Sequence, residues 1–206
     1  MIFESLVVGT YGVNTYILAD DVTKEGVVFD PGGEAQRILE IIKKNNITVK
    51  YIILTHAHGD HIGALEALKD YTGADVLINK EDENMLKNKR MNLSDLIGGN
   101  GIEMSPDGYL VDGGTIKLGS LELNIIHTPG HSKGGTCILI DNILITGDTL
   151  FAGSIGRTDL EGGNYDQLIQ SIKTKLMVLD DKITVLPGHG PASTIGSERV
   201  SNPFLK

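Results

Sequence analysis

Residues 55–61 read Thr-His-Ala-His-Gly-Asp-His, a run that carries three imidazoles and one carboxylate, at His56, His58, Asp60 and His61. The residues before it are apolar and strand-like, and those from 62 onward are typical of a helix. Open α/β sheets bind their ligands beyond the carboxyl ends of strands, where such a turn would lie. Neutral imidazole and carboxylate are ligands for zinc, iron and manganese. The run therefore predicts a metal site at the end of a strand.

The remaining histidines also follow predicted strands. They are His127 and His131 in Ile-His-Thr-Pro-Gly-His-Ser, and His189 in Leu-Pro-Gly-His-Gly. Each cluster adjoins Gly or Pro, the residues that mark a turn. Another predicted strand end carries Asp148, in Ile-Thr-Gly-Asp-Thr. We expect His131, Asp148 and His189 to join the first run as ligands. We interpret His127 as a structural residue or as one that supports a ligand.

Composition and charge narrow the possible partners. The chain has 206 residues, with 18 Lys and Arg against 27 Asp and Glu, so its formal net charge is −9. That balance disfavours nucleic acid and anionic membranes, because both need a basic face. The length suits a single domain spanning residues 1–206. The single cysteine, Cys137, excludes an internal disulfide and, with no signal peptide, favours a cytoplasmic protein. We expect a monomer or a homodimer, a choice that the sequence leaves open.

The order of predicted elements indicates an α/β fold with two similar halves. Short strands open each half, and a strand, a helix and a further strand follow. The predicted helices cover residues 34–45, 61–71 and 165–179. Two facing sheets with helices outside would form a four-layer αββα sandwich. Residues 80–108 interrupt this order with a polar helix and a long connection that contains three methionines. We interpret this connection either as a binding loop or as a surface excursion packed on its methionines.

The candidate ligands are too numerous for one metal. A tetrahedral zinc takes four ligands, whereas the chain offers seven: His56, His58, Asp60, His61, His131, Asp148 and His189. Two metals about 3.5–4 Å apart that share a bridging group suit this number. Asp148, which has two carboxylate oxygens, is the natural bridge. Five imidazoles and two carboxylates suit zinc, or a mixture of zinc, iron and manganese.

Four motifs, in this order along the chain, resemble those of the metallo-β-lactamase-fold hydrolases: Thr-His-Ala-His-Gly-Asp-His, His-Thr-Pro-Gly-His-Ser, Thr-Gly-Asp-Thr-Leu-Phe and Leu-Pro-Gly-His-Gly. The resemblance covers nearly the whole chain and includes Asp-Pro-Gly-Gly at 30–33. It implies the αββα sandwich, with a binuclear site at the edge of the two sheets. It also implies the ligands of each metal: His56, His58 and His131 for metal 1, Asp60, His61 and His189 for metal 2, and Asp148 as the bridge.

Residues 150–159, Leu-Phe-Ala-Gly-Ser-Ile-Gly-Arg-Thr-Asp, resemble the short glyoxalase II-like hydrolases of bacteria. Full-length glyoxalase II has a helical C-terminal domain with basic groups for glutathione, and residues 1–206 contain no such segment. The resemblance implies hydrolysis of a small thioester such as S-lactoylglutathione by a metal-bridging hydroxide that attacks the carbonyl carbon. Asp60 would orient that hydroxide. Arg157 is a candidate substrate contact, and the alternative is a buried ion pair between Arg157 and Asp159.

Three alternatives stand beside this interpretation. A persulfide dioxygenase of the same fold would use one iron, held by His56, His131 and Asp148 as a facial triad. That group shares the Gly-Arg-Thr-Asp run at 156–159, but its preferred Cys-Gly-Arg is replaced here by Ile-Gly-Arg. A lactonase would use the same hydroxide on a cyclic ester. A binding module without catalysis need not keep every ligand, so the complete set disfavours it.

Overall fold

The computed structural model describes residues 1–97 and 101–206. Those residues form two six-stranded sheets and a two-stranded ribbon. The first sheet has the strand order β1-β2-β3-β4-β5-β6. Its strands are Ile2–Val8 (β1), Val13–Ala19 (β2), Glu25–Phe29 (β3), Thr48–Ile53 (β4), Asp75–Asn79 (β5) and Gly108–Leu110 (β6).

The second sheet has the strand order β14-β13-β10-β9-β8-β7. Its strands are Thr115–Leu118 (β7), Leu121–His127 (β8), Thr136–Ile140 (β9), Ile143–Gly147 (β10), Thr184–Pro187 (β13) and Ser193–Thr194 (β14). The ribbon consists of Leu150–Phe151 (β11) and Ser154–Ile155 (β12).

Seven α-helices connect and cover these strands within the described residues: Ala35–Lys44 (α1), Gly59–Ile62 (α2), Leu65–Thr72 (α3), Glu83–Leu86 (α4), Ser94–Ile97 (α5), Tyr165–Ser171 (α6) and Ile195–Ser201 (α7). Short 3₁₀ turns cover Lys80–Asp82 and Pro203–Leu205, and a π turn covers Ile172–Leu176. No helix in residues 1–97 and 101–206 has the length and apolar character needed to cross a membrane.

Three layers of buried side chains hold the helices and sheets together. The first lies between helices α1 and α3 and the outer face of the first sheet, where Ile38 and Leu65 are fully buried. The second lies between the sheets and includes Phe29 and Leu123. The third packs α6 and α7 onto the second sheet, with Leu168 at its centre. This order of layers confirms the predicted αββα sandwich.

Parallel strand pairs bring the ligand-bearing loops to one edge. β3 pairs in parallel with β4 in the first sheet, and β10 pairs in parallel with β13 in the second. The carboxyl ends of parallel neighbours lie side by side, so the loops that follow them converge. β4 and β10 are flanked on both sides by other strands, and the ends that lead into the ligand-bearing loops, Ile52–Ile53 and Leu144–Ile145, are buried and apolar.

The single helix predicted for residues 61–71 is wrong in one respect, because two helices, α2 and α3, occupy this region. The backbone N–H of Ala64 donates to the carbonyl of Pro31 at 2.8 Å instead of extending α2. Gly63 packs so closely that an added Cβ would lie 2.4 Å from the carbonyl oxygen of Gly32. The turn at 30–33 therefore breaks the helix. The helix predicted for 165–179 is likewise α-helical only to Ser171.

Candidate metal centre

The run at 55–61 lies where β4 ends and α2 begins. His56 and His61 are only 1% and 0% exposed, and His58 is buried as well. Asp60, in the first turn of α2, is partly exposed. The run thus turns its four side chains into the molecule, which a solvated loop would not do.

The second half of the chain brings three more ligand candidates to the same place. His131 lies in the loop between β8 and β9, Asp148 directly follows β10, and His189 follows β13. His189 also pairs with Val13 of β2 in an isolated antiparallel bridge. The backbone N–H of Thr136 donates to the carbonyl of Thr55 at 2.9 Å. The two sheets therefore meet at this edge.

Three imidazoles form a first group. His131 Nε2 lies 2.9 Å from His58 Nδ1 and 3.3 Å from His56 Nε2. The Nδ1–H of His131 donates to the carbonyl of Arg157 at 2.7 Å, so Nε2 is the nitrogen that faces the other two rings. A nitrogen from each of the three residues lies within 4.8 Å of the others.

A second group lies beside the first. His189 Nε2 lies 3.2 Å from Asp60 Oδ2, and His61 Nε2 lies 3.9 Å from the same oxygen. Asp148 stands between the groups, with Oδ1 3.3 Å from His61 Nε2 and Oδ2 3.7 Å from His131 Nε2. The structure thus brings all seven predicted ligand residues into one cluster.

Unpaired atoms at the centre of the cluster fit a cation. Within the described residues, two buried side-chain atoms have no hydrogen-bond partner, His61 Nε2 and Asp148 Oδ1. Leaving a buried polar atom unpaired costs about 1–3 kcal/mol, and a metal ion would satisfy both lone pairs. Imidazoles with carboxylates are a donor set for divalent metals. We conclude that the residues present fit metal binding.

The protonation of the rings agrees with this conclusion. Burial and, to a smaller extent, the neighbouring His131 lower the pKa of His58 to about 3. Burial also holds the pKa of His56 well below its usual range. Neutral imidazole is the form that binds metal. For His61, burial lowers the pKa, but Asp148 and other carboxylates outweigh burial and raise it well above the usual range. A cation beside Asp148 would replace that proton.

Asp30 supports the cluster in a way that the sequence did not reveal, since it was interpreted only as part of a turn. Its Oδ1 accepts from the backbone N–H of Thr55 at 2.7 Å, and its Oδ2 accepts from Thr55 Oγ1 at 2.6 Å. The Nδ1–H of His61 also donates to Asp30 Oδ2 at 3.0 Å. Asp30 therefore fixes the ring of His61 with Nε2 toward the cluster. The signal was available, because Asp30 follows a strand just as the ligands do.

Asp82 is a second supporting carboxylate that sequence reasoning missed. It is 1% exposed, and its oxygens accept from Ser132 Oγ at 2.7 Å and from the backbone N–H of Gly134 at 2.6 Å. Both donors belong to the loop that carries His131. Burial raises the pKa of Asp82, and hydrogen bonds, including one from the amide of Ala57, only partly offset that rise. Asp82 thus contacts both loops that supply the first group of imidazoles.

A pocket of about 210 Å³ opens above the cluster. Its floor contains His58, Asp60, His131 and Asp148, and its walls are mostly apolar. The wall residues are Tyr11, Gly59, Asn92, Leu93, Leu96, Ile97, Arg157 and Leu160. The pocket is therefore a place where a small organic molecule can reach the cluster.

The connection at 80–108 has structural features expected of both predicted roles. Residues 92–97 supply one wall of the pocket, as a binding loop would. Met85 is buried in the first core layer, and Met91 and Met104 pack against that layer, as a surface excursion would require. Residues 98–100 of this predicted connection lie outside the described residues.

Arg157 and Asp159 form the predicted ion pair, but the prediction that it is buried is wrong. Arg157 Nε and Nη2 each lie 2.8 Å from a carboxylate oxygen of Asp159. The two side chains are 61% and 68% exposed, because they stand at the mouth of the pocket instead of inside the core. Arg157 does line the pocket, which is compatible with the predicted substrate contact.

His127 lies outside the cluster, at the end of β8. Its Nε2 is paired with the carbonyl of Lys133 at 2.9 Å, and its backbone N–H donates to Asp112. It thus holds the two ends of the His131 loop together. This placement favours the structural interpretation of His127.

Comparison with known proteins identifies the family. A model of the metallo-beta-lactamase superfamily matches residues 8–189, and the chain belongs to that superfamily. A probable metallo-hydrolase of Bacillus subtilis (strain 168) is 38% identical over 208 residues, which cover 100% of this chain and 98% of the relative. The hydroxyacylglutathione hydrolase GloC of Haemophilus influenzae is 37% identical over 209 residues, with 100% of this chain and 98% of the relative covered.

Solved structures agree with this assignment. The crystal structure of the B3 metallo-beta-lactamase BLEG-1 has a TM-score of 0.93 and 37% identity, over 99% of both chains. The structure of TTHA1623 in a di-iron-bound form has a TM-score of 0.85 and 31% identity, over 98% of this chain and 100% of the other. The family and the His/Asp cluster together make this protein a metallohydrolase of the superfamily.

Proposed function

We propose that this protein hydrolyses small thioesters, such as S-lactoylglutathione, with two divalent metal ions. The observation that carries the proposal is the arrangement of two three-residue groups on either side of Asp148, with His58, Asp60, His131 and Asp148 lining one pocket. Similarity to a hydroxyacylglutathione hydrolase and to a protein solved with two irons supports it. We infer zinc, or a mixture of zinc, iron and manganese, from the donor set.

The proposed ligands follow the two groups. His56, His58 and His131 would hold one metal, Asp60, His61 and His189 would hold the other, and Asp148 would contact both. When bound, such a pair of cations lowers the pKa of water to give a nucleophile at neutral pH and polarises the carbonyl of the substrate. The remaining chemistry belongs to the side chains of the protein.

Asp60 is the proposed catalytic residue. Burial raises its pKa, but the hydrogen bond from His189 and the nearby His61 outweigh burial, so the pKa is lowered overall. Asp60 is therefore ionised at neutral pH and accepts a hydrogen bond from the attacking water, which fixes the direction of attack. His131 and His61 keep their orientation because Arg157 and Asp30 hold their Nδ1 atoms.

The reaction adds water across the C–S bond. A C–O bond forms at the carbonyl carbon, the C–S bond breaks, and the proton released from water ends on the departing sulfur. A thiolate leaves readily and needs little help from a general acid. The cluster residues that line the pocket, His58, Asp60, His131 and Asp148, are imidazoles and carboxylates, which suit such a reaction.

The first experiment compares hydrolysis of S-D-lactoylglutathione by metal-loaded protein and by protein stripped with a chelator. We expect turnover only with metal. Asp148→Ala should lose bound metal and activity together, measured by metal analysis and by initial rates. Asp166→Ala is the matched control, because Asp166 is exposed in the first turn of α6. A fully active, metal-replete Asp148→Ala protein would refute the assignment.

Other substrates separate the alternatives. Turnover of a lactone but not of the thioester would favour the lactonase. Oxygen consumption with glutathione persulfide would favour a single iron held by His56, His131 and Asp148. A chromogenic cephalosporin belongs in the same series, because BLEG-1 is a B3 metallo-beta-lactamase. Each of these results, without thioester turnover, would overturn the proposal.

A further inference from the structure

The polar groups that line the pocket are largely committed to other partners. Four of them, His58, Asp60, His131 and Asp148, belong to the metal cluster. Asn92 is fully buried, and its amide donates to the carbonyls of Met85 and Ile102 at 3.0 and 2.9 Å. Its Oδ1 accepts from the backbone N–H of Ser94 at 2.9 Å. Asn92 is therefore occupied with holding its own loop.

The cation at the pocket mouth is also committed. Arg157 donates from Nε and Nη2 to the two carboxylate oxygens of Asp159, a two-point geometry in which the charge of the guanidinium is balanced. Arg157 is the one cationic side chain among the lining residues that the structure describes. An anionic group arriving there would meet a guanidinium whose charge Asp159 already balances, with the Asp159 carboxylate beside it.

Residues 92–97 form one wall of the pocket, here called the 92–97 wall. This wall is fixed to the run at 55–61. The backbone N–H of Gly59 donates to the carbonyl of Asn92 at 2.7 Å. A Cβ at Gly59 would lie 2.6 Å from the Cα of Ser94, so the two segments touch backbone to backbone. Leu93 has a φ of 64°, a left-handed conformation that is unfavourable for a bulky residue and persists only where its surroundings impose it. The wall is thus a built part of the site.

The surface that this wall presents is apolar. Leu93, Leu96 and Ile97 line one side of the pocket, and Leu160 and Tyr11 complete the rim. Leu96 is 75% exposed and Tyr11 is 60% exposed. Exposed apolar side chains around a concave site are typical of ligand contact. They gain free energy only when an apolar group covers them.

We propose that the pocket selects thioesters whose organic arm is uncharged and apolar, and that it discriminates against thiols with free carboxylates. The 92–97 wall holds the arm by apolar contact, while Asp159 balances the charge of Arg157 that would otherwise attract a carboxylate. This inference rests on the proposed thioester hydrolysis and specifies its substrate class. Glutathione thioesters are then slow substrates, and S-D-lactoylglutathione serves in the first experiment only as an assay substrate.

The test compares one acyl group on two thiols, N-acetylcysteamine and glutathione. We expect kcat/KM to favour the uncharged thiol by about tenfold or more. Asp159→Asn, which releases Arg157, and Leu96→Lys, which adds a cation at the rim, should each lower KM several-fold for the glutathione thioester only. Val200→Lys is the matched control, since Val200 is 78% exposed and does not line the pocket.

A binding measurement keeps this inference distinct from the proposed function. The unreactive thioethers S-hexyl-N-acetylcysteamine and S-hexylglutathione can be titrated calorimetrically into wild-type protein with and without metal. Tighter binding of the uncharged thioether supports the inference even if no thioester is hydrolysed. Tighter binding of S-hexylglutathione overturns it, and so does a glutathione preference in kcat/KM. Loss of that preference in Lys133→Gln would then place the anion site on the His131 loop.

Discussion

Replacement of Asp82 by alanine tests whether one carboxylate holds the loop that carries His131 in place. The change removes the acceptor for Ser132 Oγ and for the backbone N–H of Gly134, which lie 2.7 and 2.6 Å from its oxygens. Both contacts join residues that are 50 or more positions apart in the sequence. The variant therefore disconnects the end of β5 from the His131 loop without touching a ligand.

The expected loss of stability follows from these contacts. Hydrogen bonds to a charged group contribute about 1.5–3 kcal/mol each, and a buried N–H left without a partner costs about 1–3 kcal/mol. Part of this loss is offset, because the variant no longer buries a charge. We expect Asp82→Ala to lower the free energy of unfolding by roughly 3–5 kcal/mol, a large share of the usual 5–15 kcal/mol.

Urea denaturation of the metal-free protein measures this loss. With a slope of about 2–3 kcal/mol per molar urea, the midpoint should fall by roughly 1–2.5 M. Asp82→Asn keeps one carbonyl acceptor and should lose about half as much. Glu81→Gln is the control, because it removes the same charge from the exposed neighbouring residue. Competition with a chromogenic chelator should show weaker metal binding in Asp82→Ala but not in Glu81→Gln.

Two results would contradict this reasoning. If Asp82→Ala unfolds at the same urea concentration as Glu81→Gln, the hydrogen bonds contribute nothing net. If Asp82→Ala is destabilised but binds metal as tightly as the wild type, the carboxylate supports the fold and leaves the position of His131 unaffected.

Three further predictions concern other buried groups. Burial raises the pKa of the Cys137 thiol to about 11, so a disulfide reagent at pH 8 should label it slowly in the native protein and rapidly in denaturant; rapid native labelling would contradict this. Asp30→Asn weakens the acceptor for His61 Nδ1 and should reduce metal affinity about 10–100-fold, which chelator competition measures. An unchanged affinity would count against the role of Asp30 in orienting His61. A hydrogen bond from the hydroxyl of Ser120 and, to a smaller extent, hydrogen bonds from backbone amides lower the pKa of Asp20 in the folded state. The contribution of Asp20 to folding stability is therefore present above the unfolded pKa of about 3.9 and is lost as the pH falls. Asp20→Asn should therefore make the stability of the metal-free protein less dependent on pH on the acid side. An unchanged dependence on pH would refute this prediction.

The ligand cluster could be predicted because its signals are local. Each candidate ligand follows an apolar strand and adjoins a turn residue, so the sequence itself places it at a strand end. The parallel pairing of β10 with β13 places the ends that carry Asp148 and His189 side by side, and the hydrogen bond from the N–H of Thr136 to the carbonyl of Thr55 joins the two sheets beside them. The sandwich follows from the same element order, since two sheets with outer helices are the layers that bury all apolar faces.

The supporting residues could not be predicted in the same way, because their partners are remote in sequence. Asp82 looks like an ordinary polar residue at the start of a helix until the His131 loop folds against it. The break between α2 and α3 depends on Pro31, which accepts the hydrogen bond of Ala64 from a turn more than 30 residues earlier. The orientation of the 92–97 wall depends likewise on its contact with Gly59.

The C-terminal helix α7 was missed although a local signal was present. Thr194 accepts a hydrogen bond from the backbone N–H of Ser197, a capping interaction at the first turn of a helix. Glu198, one position later, is buried and accepts from the backbone N–H of Gly153 at 2.9 Å. The Thr194 cap was visible in the sequence, whereas the tertiary contact of Glu198 was not.

The division of the ligands between the two halves has a consequence for assembly. Each proposed metal takes two ligands from the run at 55–61 and one from the second half, His131 or His189. A chain cut between β6 and β7, at 111–114, would leave neither fragment with a complete set. Two such fragments should therefore associate more tightly in the presence of divalent metal than in the presence of a chelator. The metal ions would then link two sheets that belong to separate polypeptides, and a chelator would reverse this link. Association of the two fragments would then depend on the presence of divalent metal.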